Sequence, residues 1–227
     1  MLYIVATPIG NLSDITFSAI DVLKFVDLIL CEDTRQTKKL LDHYAISKPL
    51  VSYHQHSKIE KIDYIIGELK SGKNLALVSD AGTPGISDPG NMLVEAVLKE
   101  GIQIVPIPGP SAVVTALSAS GFPTDTFIFY GFMPHKKGKE TLLKQIATSD
   151  KVVVFYESVH RIIKTLEKLK NFLEPERQII VCRELTKKFE TIYRGTVDEV
   201  LEKLKQDKVL GEFVVIVNTK RHEYQHE

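Results

Sequence analysis

Residues 74–90 read NLALVSDAGTPGISDPG, a short apolar run followed by a loop dense in glycine and proline. The run 74–78 has the continuous apolar character of a strand buried on both faces of a parallel sheet. In the loop that follows, Gly82, Gly85 and Gly90 give the chain conformations that other residues resist, while Pro84 and Pro89 stiffen it. Main-chain amides and carbonyls on such a path can approach a ligand closely, and Asp80, Thr83, Ser87 and Asp88 add polar handles. Open parallel sheets bind ligands at the carboxyl ends of their strands. This stretch therefore predicts both an α/β fold and the edge where its site lies. The plainer alternative is a rigid turn whose Asp88 or Ser87 caps the next helix, and capping is compatible with binding.

The same pattern repeats on either side. Strand 2–6 (LYIVA) ends at Thr7-Pro8 and Gly10, and Thr16 opens an amphipathic helix to about Val26 with Ile20, Leu23 and Val26 on one face. Strand 28–31, helix 34–44, strand 50–53 and helix 57–70 lead into strand 74–78. Helix 90–100, strand 102–106, a second Gly/Pro loop at 107–112 with Ser111 as an available N-cap, and helix 111–119 complete the series. Five strands alternating with helices predict a parallel five-stranded sheet with helices over residues 1–120. After Gly121-Phe122-Pro123 the pattern changes to strand 126–132, polar loop 134–139, helix 139–148, strand 151–156 and helix 158–172 with Ser158 as N-cap. Strands 178–183 and 189–194, helix 197–206 and strand 212–218 follow. Two successive strands make antiparallel pairing plausible, so residues 121–227 read as a mixed α+β domain. The boundary falls near 119–124, and the polar tail from Lys220 is expected to fray.

With 227 residues, the chain is about one and a half average domains. Hydrophobic residues at 44% and charged residues at 26% supply a sizeable core and exclude a disordered chain. Basic and acidic residues balance at 29 each, so no global field draws the protein to DNA or a membrane. A polyanion must be held by a local patch. Residues 1–120 carry 10 basic and 13 acidic side chains and residues 121–227 carry 19 and 16, which points to the second half. Cys31 and Cys182 lie in apolar runs and read as reduced core thiols of a cytoplasmic protein. The N-terminus lacks the basic region of a signal peptide, and no stretch approaches the ~18 apolar residues of a membrane span.

Several motifs are set aside. Gly67–Asn74 nearly spells a phosphate-binding loop, but Asn74 replaces the magnesium-holding Ser/Thr and the segment runs from helix to strand. Glu32 and Asp33, about twenty residues after Gly10, have the spacing of a dinucleotide site without its glycines. His54 and His56 lack a third ligand at metal spacing and read as a solvated pair. No G-x-S-x-G elbow occurs. Three clusters in the second half keep their interest. Phe132–Lys139 combines an aromatic with three lysines, suited to phosphate contact and base stacking. Phe155–Arg161 and Arg183–Glu190 set charged groups at the ends of strands, where a surface ion-pair network is the alternative.

TPIGNL at 7–12, CEDTR at 31–35, SDAGTPGISDPG at 79–90, PGPSA at 108–112, FYESVHR at 155–161 and RELTKKFE at 183–190 follow one another across almost the entire chain. Together they resemble the cytidine 2'-O-ribose methylating branch of the tetrapyrrole methylase superfamily, which acts on small-subunit (16S) ribosomal RNA. The resemblance implies a two-domain tetrapyrrole methylase-like fold, S-adenosylmethionine bound in the cleft between the domains, and a homodimer. Carried over residue by residue, it implies donor binding at Pro8 and Gly10, at Asp80, Ala81, Gly82, Thr83, Ile86 and Ser87, and at Ser111 and Ala112. Glu32, Asp33, Thr34, Arg35, Glu157, His160, Arg161 and Arg183 to Lys187 match positions of the RNA-modifying branch, which implies substrate contact. Val159 stands where that family has proline, loosening the start of one helix.

A ribose hydroxyl is a weak acid, so a base or a nearby cation should assist its attack. The candidates are Asp33, Asp80, Glu157 and Lys187. RNA, free or in the small ribosomal subunit, is expected at Arg35, Lys136, Lys137, Arg161 and Arg183. The donor carries its own positive charge, so no metal is expected at its site. The rivals are a tetrapyrrole C-methyltransferase of the same fold, a non-catalytic RNA-binding module of the ribosome and, more distantly, a nicotinamide dehydrogenase.

Overall fold

The structure, a computed structural model, describes residues 1–54, 57 and 59–220. The readings of His56 and of the tail beyond Lys220 lie outside the described residues. The chain forms two compact units that divide between Ser111 and Ala112.

In the first unit, strands β1 (Leu2–Val5), β2 (Leu28–Cys31), β3 (Leu50–Ser52), β4 (Leu75–Val78) and β5 (Ile104–Ile107) form one sheet in the order β3-β2-β4-β1-β5. All its pairs are parallel. Helices α1 (Phe17–Phe25), α2 (Thr34–His43), α3 (Ile59–Lys70) and α4 (Asn91–Lys99) cover it. The two-residue period of the strands decides which helices each face meets. Val5, Ile29, Cys31, Ala76 and Val78 pack with Ala19 and Leu23 of α1 and Leu40 and Leu41 of α2. Leu2, Leu28, Leu30, Leu75 and Leu77 pack with Ile62, Ile65 and Leu69 of α3 and Leu93 and Val97 of α4. The inner strands β2 and β4 are buried on both faces, which is why they read as unbroken apolar runs, whereas the edge strands β3 and β5 are only partly covered. The connection from β1 skips β4 to reach β2, whereas the connection from β4 skips β1 to reach β5. Their paths part in opposite directions, so the adjoining carboxyl ends of β1 and β4 form the topological switch point of the sheet. At the first turn of α4 the N-cap position falls on Gly90, at φ +154°, and not on Ser87 or Asp88, the residues of the capping alternative. Those two residues lie in the preceding loop.

The second unit begins with α5 (Ala112–Ser118), which packs on the last strand of the second sheet. Then follow β6 (Phe127–Phe132), α6 (Lys139–Thr148), β7 (Val152–Ser158), α7 (Ile162–Lys170), β8 (Gln178–Arg183), β9 (Thr191–Thr196), α8 (Val197–Gln206) and β10 (Glu212–Val217). The sheet order is β6-β7-β10-β8-β9, with β6 parallel to β7 and every other pair antiparallel. The expected pairing of β8 with β9 is present. Helix α8 starts on a capping box in which Thr196 and Glu199 each bond the other's backbone amide. Helix α7 starts at Ile162, later than the expected 158. Ser158 still pairs with Glu212 at the end of β7, and a turn closed by Arg161 N–H on the Ser158 carbonyl (3.0 Å) intervenes. Among the described residues no helix is long and apolar enough to cross a membrane.

Candidate functional site

Four loops leave the carboxyl edge of the first sheet, and hydrogen bonds tie them together. Thr7, buried just beyond β1, exchanges backbone bonds with Gly82 in the loop after β4 (N–H to O, 2.9 and 3.0 Å). The Thr7 hydroxyl donates to the Ser79 carbonyl (3.0 Å), and the Ser79 hydroxyl donates to the Gly82 carbonyl (2.9 Å). Thr83 Oγ1 donates to the Pro110 carbonyl in the loop after β5 (3.3 Å). Asp33 N–H, after β2, donates to Asp80 Oδ1 (3.1 Å). Gly82 at φ +81° and Gly85 at φ +83° supply left-handed turns, and Ser87 accepts the same region at φ +58°. A non-glycine residue held there stores strain of about 1–3 kcal/mol, a cost typical of ligand-binding loops. Gly109 lets the loop after β5 close on the end of β1, since a Cβ there would sit 2.9 Å from that of Ala6.

Pro8, Asp80, Ala81, Gly82, Thr83, Ile86, Ser87 and Ser111 thus gather on these loops, while Ala112 opens α5. Pro8 and Gly82 are buried; Asp80, Ala81, Ile86 and Ser87 are exposed. Exposed apolar Ile86 thus lies on the same loop as exposed Ser87 and Asp80.

Asp33 is the N-cap of α2 and receives the Arg35 amide (2.8 Å). It is also gripped by the Arg35 guanidinium through Nε (3.1 Å) and NH2 (2.7 Å). Hydrogen bonds from the Arg35 side chain, then from its backbone, hold the Asp33 carboxyl down at about 2. A base that weak takes up little proton at neutral pH. The Arg35 side chain itself is 86% exposed. Burial raises the Cys31 thiol and pushes Cys182 up to about 11, so both are core thiols as expected.

In the second unit, Glu157 at the end of β7 is 1% exposed. Its Oε1 meets Arg161 NH2 (2.8 Å) and the Ser158 amide (2.8 Å), and its Oε2 accepts from Thr165 Oγ1 (2.6 Å) with Lys139 Nζ at 3.4 Å. Arg161 also donates to Ser158 Oγ (3.1 Å) and the Met133 carbonyl (2.9 Å). Lys139, expected with the basic loop, turns inward to Thr165 Oγ1 (2.6 Å) and is 8% exposed. Burial lowers its pKa against the attraction of Glu157. The structure therefore removes Lys139 from the surface patch: at the first position of α6, its side chain joins the buried carboxylate. Lys136, Lys137 and His135 remain exposed, next to Phe132, which is 55% exposed and set edge-on to Tyr156 at 5.3 Å.

The segment after β8 is tied down as well. Arg183 is buried, with NH1 on the Lys208 carbonyl (2.7 Å) and Asp207 (2.9 Å) and NH2 on Thr191 Oγ1 (3.1 Å). Lys187 donates to Glu184 Oε1 and Glu212 Oε2, each at 2.9 Å. Burial pulls its ammonium down, but those two carboxylates outweigh burial and leave its pKa raised. Glu184 at φ +52° and Thr186 at φ +64° are further strained positions.

The buried hydrogen-bonding roles of Thr7, Thr165 and Lys139 escape a reading of the sequence. Thr165 has a legible signal: on α7 it shares the inward stripe of Ile162, Leu166 and Leu169, where a polar side chain needs a partner. Among the described residues no three His, Cys, Asp or Glu side chains gather as a metal site would require.

The structure superimposes on the crystal structure of a cobalamin biosynthetic enzyme, cobalt precorrin-4 methyltransferase, with a TM-score of 0.72 over 96% of this chain and 94% of that one, at 19% identity. The two share a fold. Residues 1–201 match the model of the Tetrapyrrole (Corrin/Porphyrin) Methylases. The chain is 50% identical over 217 residues to the ribosomal RNA small subunit methyltransferase I of Halalkalibacterium halodurans, covering 95% of this chain and 75% of the relative. It is also 50% identical over 224 residues to the protein of that name in Bacillus subtilis, covering 98% and 76%. The chain belongs to the tetrapyrrole methylase family, on the branch of these two relatives, and is a methyltransferase.

Proposed function

We propose that this protein transfers the methyl group of S-adenosylmethionine to the ribose 2'-hydroxyl of a cytidine in 16S ribosomal RNA, acting in the cytoplasm as a homodimer on the RNA or the small ribosomal subunit. The observation that carries the proposal is the lacing of four loops at the β1/β4 switch point through Thr7, Gly82, Thr83 and Asp80. The names of the relatives support the RNA substrate.

When bound, the donor supplies an electrophilic methyl on a sulfonium centre. Loops already fixed by their mutual bonds hold it without being ordered first, and positioning of this kind can lower a barrier by about 7–11 kcal/mol. Of the four candidate bases, Asp33 is clamped by Arg35, Glu157 is saturated by donors and Lys187 is held charged by two carboxylates. Asp80, exposed on the donor loop, is the proton acceptor we favour. Lys136, Lys137 and Arg35 offer cations to phosphates and Phe132 offers a ring to a base. Arg161 and Arg183 act from within, by holding the segments around them.

Purified small ribosomal subunits lacking the modification, incubated with labelled donor, should take label into one cytidine, located by mass mapping. Label entering a corrinoid precursor and not RNA would favour the tetrapyrrole rival, and absence of donor binding in calorimetry would favour a non-catalytic module. Replacing Lys136 and Lys137 by Ala should lower the slope of log affinity against log salt by about 0.7 for each phosphate of a single-stranded RNA that is no longer neutralised. No metal is needed at the donor site in this reading: methylation of a short unstructured RNA should survive a chelator, and a strict magnesium requirement there would count against it.

A further inference from the structure

The loop carrying Lys136 and Lys137 is fastened at both ends to one buried carboxylate. At its start, Arg161 NH1 donates to the Met133 carbonyl (2.9 Å) while Arg161 NH2 pairs with Glu157 Oε1 (2.8 Å). At its end, Lys139 Nζ donates to Thr165 Oγ1 (2.6 Å), which donates to Glu157 Oε2 (2.6 Å). The Met133 amide also bonds the Tyr156 carbonyl (3.2 Å), one residue before Glu157. Only residues 134–138 lie between the two clamps. They hold exposed His135, Lys136 and Lys137 and close through a left-handed Gly138 at φ +83°. Two cations converge on a single carboxylate, and removing that carboxylate would strand both away from water.

We propose that Glu157, Lys139, Thr165 and Arg161 are positioning residues: they hold the 134–138 loop in shape, so that Lys136 and Lys137 meet the RNA backbone without first having to be ordered. The inference rests on the reading that this loop contacts RNA. It assigns the FYESVHR segment a role beneath the RNA surface, not on it. A loop freed at one end must lose its backbone freedom on binding, so freeing one clamp should weaken RNA binding by about tenfold, the cost of ordering one or two residues.

The test uses the full chain with Lys139→Met, which leaves Glu157 and Arg161 as a neutral pair, and Thr165→Val, which removes only the bridging hydroxyl. Both are made in the parent and in a Lys136→Ala/Lys137→Ala background. The probe is a 16S ribosomal RNA fragment titrated across a salt series, with donor affinity by calorimetry and amide hydrogen exchange at 135–139. Expected are about tenfold weaker RNA binding with the salt slope unchanged, faster exchange confined to the loop, and unchanged donor affinity. In the Lys136→Ala/Lys137→Ala background the same substitutions should cost less than about twofold, a dependence that general destabilisation does not produce. A full tenfold effect in that background, a reduced salt slope for Lys139→Met, or unchanged RNA affinity in both variants would overturn the inference. If Lys136→Ala/Lys137→Ala itself leaves the slope unchanged, the RNA-contact reading falls first and the clamp loses its purpose with it.

Discussion

Gly109→Ala tests whether the donor loops work as one laced unit. A Cβ at position 109 would lie 2.9 Å from Ala6 Cβ and 3.5 Å from the Ala6 carbonyl oxygen. Carbon atoms prefer about 3.5–4.0 Å, so the two segments must part by roughly 0.6–1.1 Å. Ala6 is fully buried just past the end of β1 and has little room to retreat. The loop after β5 therefore moves, and it carries Pro110, whose carbonyl accepts the Thr83 hydroxyl at 3.3 Å. Lengthened by that much, the pair is no longer a hydrogen bond. Overpacking of this kind costs about 1–3 kcal/mol, or roughly 2–4 °C of melting temperature per kcal/mol in a chain of this size. If the displaced loops weaken donor binding by about 1 kcal/mol, the donor Kd rises about fivefold. Melting and calorimetry with S-adenosylmethionine measure both effects. Adding Ala6→Gly removes the opposing methyl and should restore donor affinity, with about 0.5–1 kcal/mol of stability still lost to the new glycine. Parent-like donor affinity in Gly109→Ala, or no recovery in the double variant, would refute the reasoning.

Asp80→Asn keeps an oxygen for the Asp33 amide but removes the base, so kcat should fall by about 10²–10⁴-fold while donor Kd shifts only a few-fold; a kcat within threefold of the parent removes Asp80 from that role. Asp33, held at about 2 in the fold against roughly 3.9 in an unfolded chain, contributes stability that is present above the unfolded value and lost as pH falls through the folded one. The melting difference between parent and Asp33→Asn should therefore be flat from pH 7 to 5 and shrink between roughly 4 and 2; shrinkage already above pH 5 contradicts the Arg35 clamp. Cys31 and Cys182, both buried with raised pKa, should resist a thiol reagent at pH 8 in the native protein and both react on unfolding. Rapid native labelling of either would show the local packing to be wrong. Glu157→Ala should cost about 3–5 kcal/mol in chemical denaturation, since it strands Lys139 and Arg161 without their carboxylate; a loss below 1 kcal/mol would mean the network is solvated.

Much of this architecture is legible in the chain itself, and for local reasons. Strands 28–31 and 178–183 and helices 139–148 and 197–206 run as expected, because each combines a strong apolar period with a clear stop or cap, such as the Thr196/Glu199 box. The sheet order is not legible, because five short apolar strands present similar faces and only their connections distinguish them. Within the site, the glycines and prolines of 79–90 mark the irregular loop at the carboxyl edge of the sheet, whereas the bonds from Thr7 to Ser79 and Gly82 join residues over seventy positions apart and leave no local trace. Glu157 is the most instructive case. A carboxylate in a run ending Ser-Val-His-Arg resembles a substrate contact, yet the period of two puts it on the same face of β7 as Val153 and Phe155, both in the core, opposite buried Phe213. Applied one step further along the strand, that period demands buried partners for Glu157. Lys139, Arg161 and Thr165 are those partners, so a charged motif at a strand end has to be assigned to core or surface by its parity before it is assigned to a ligand.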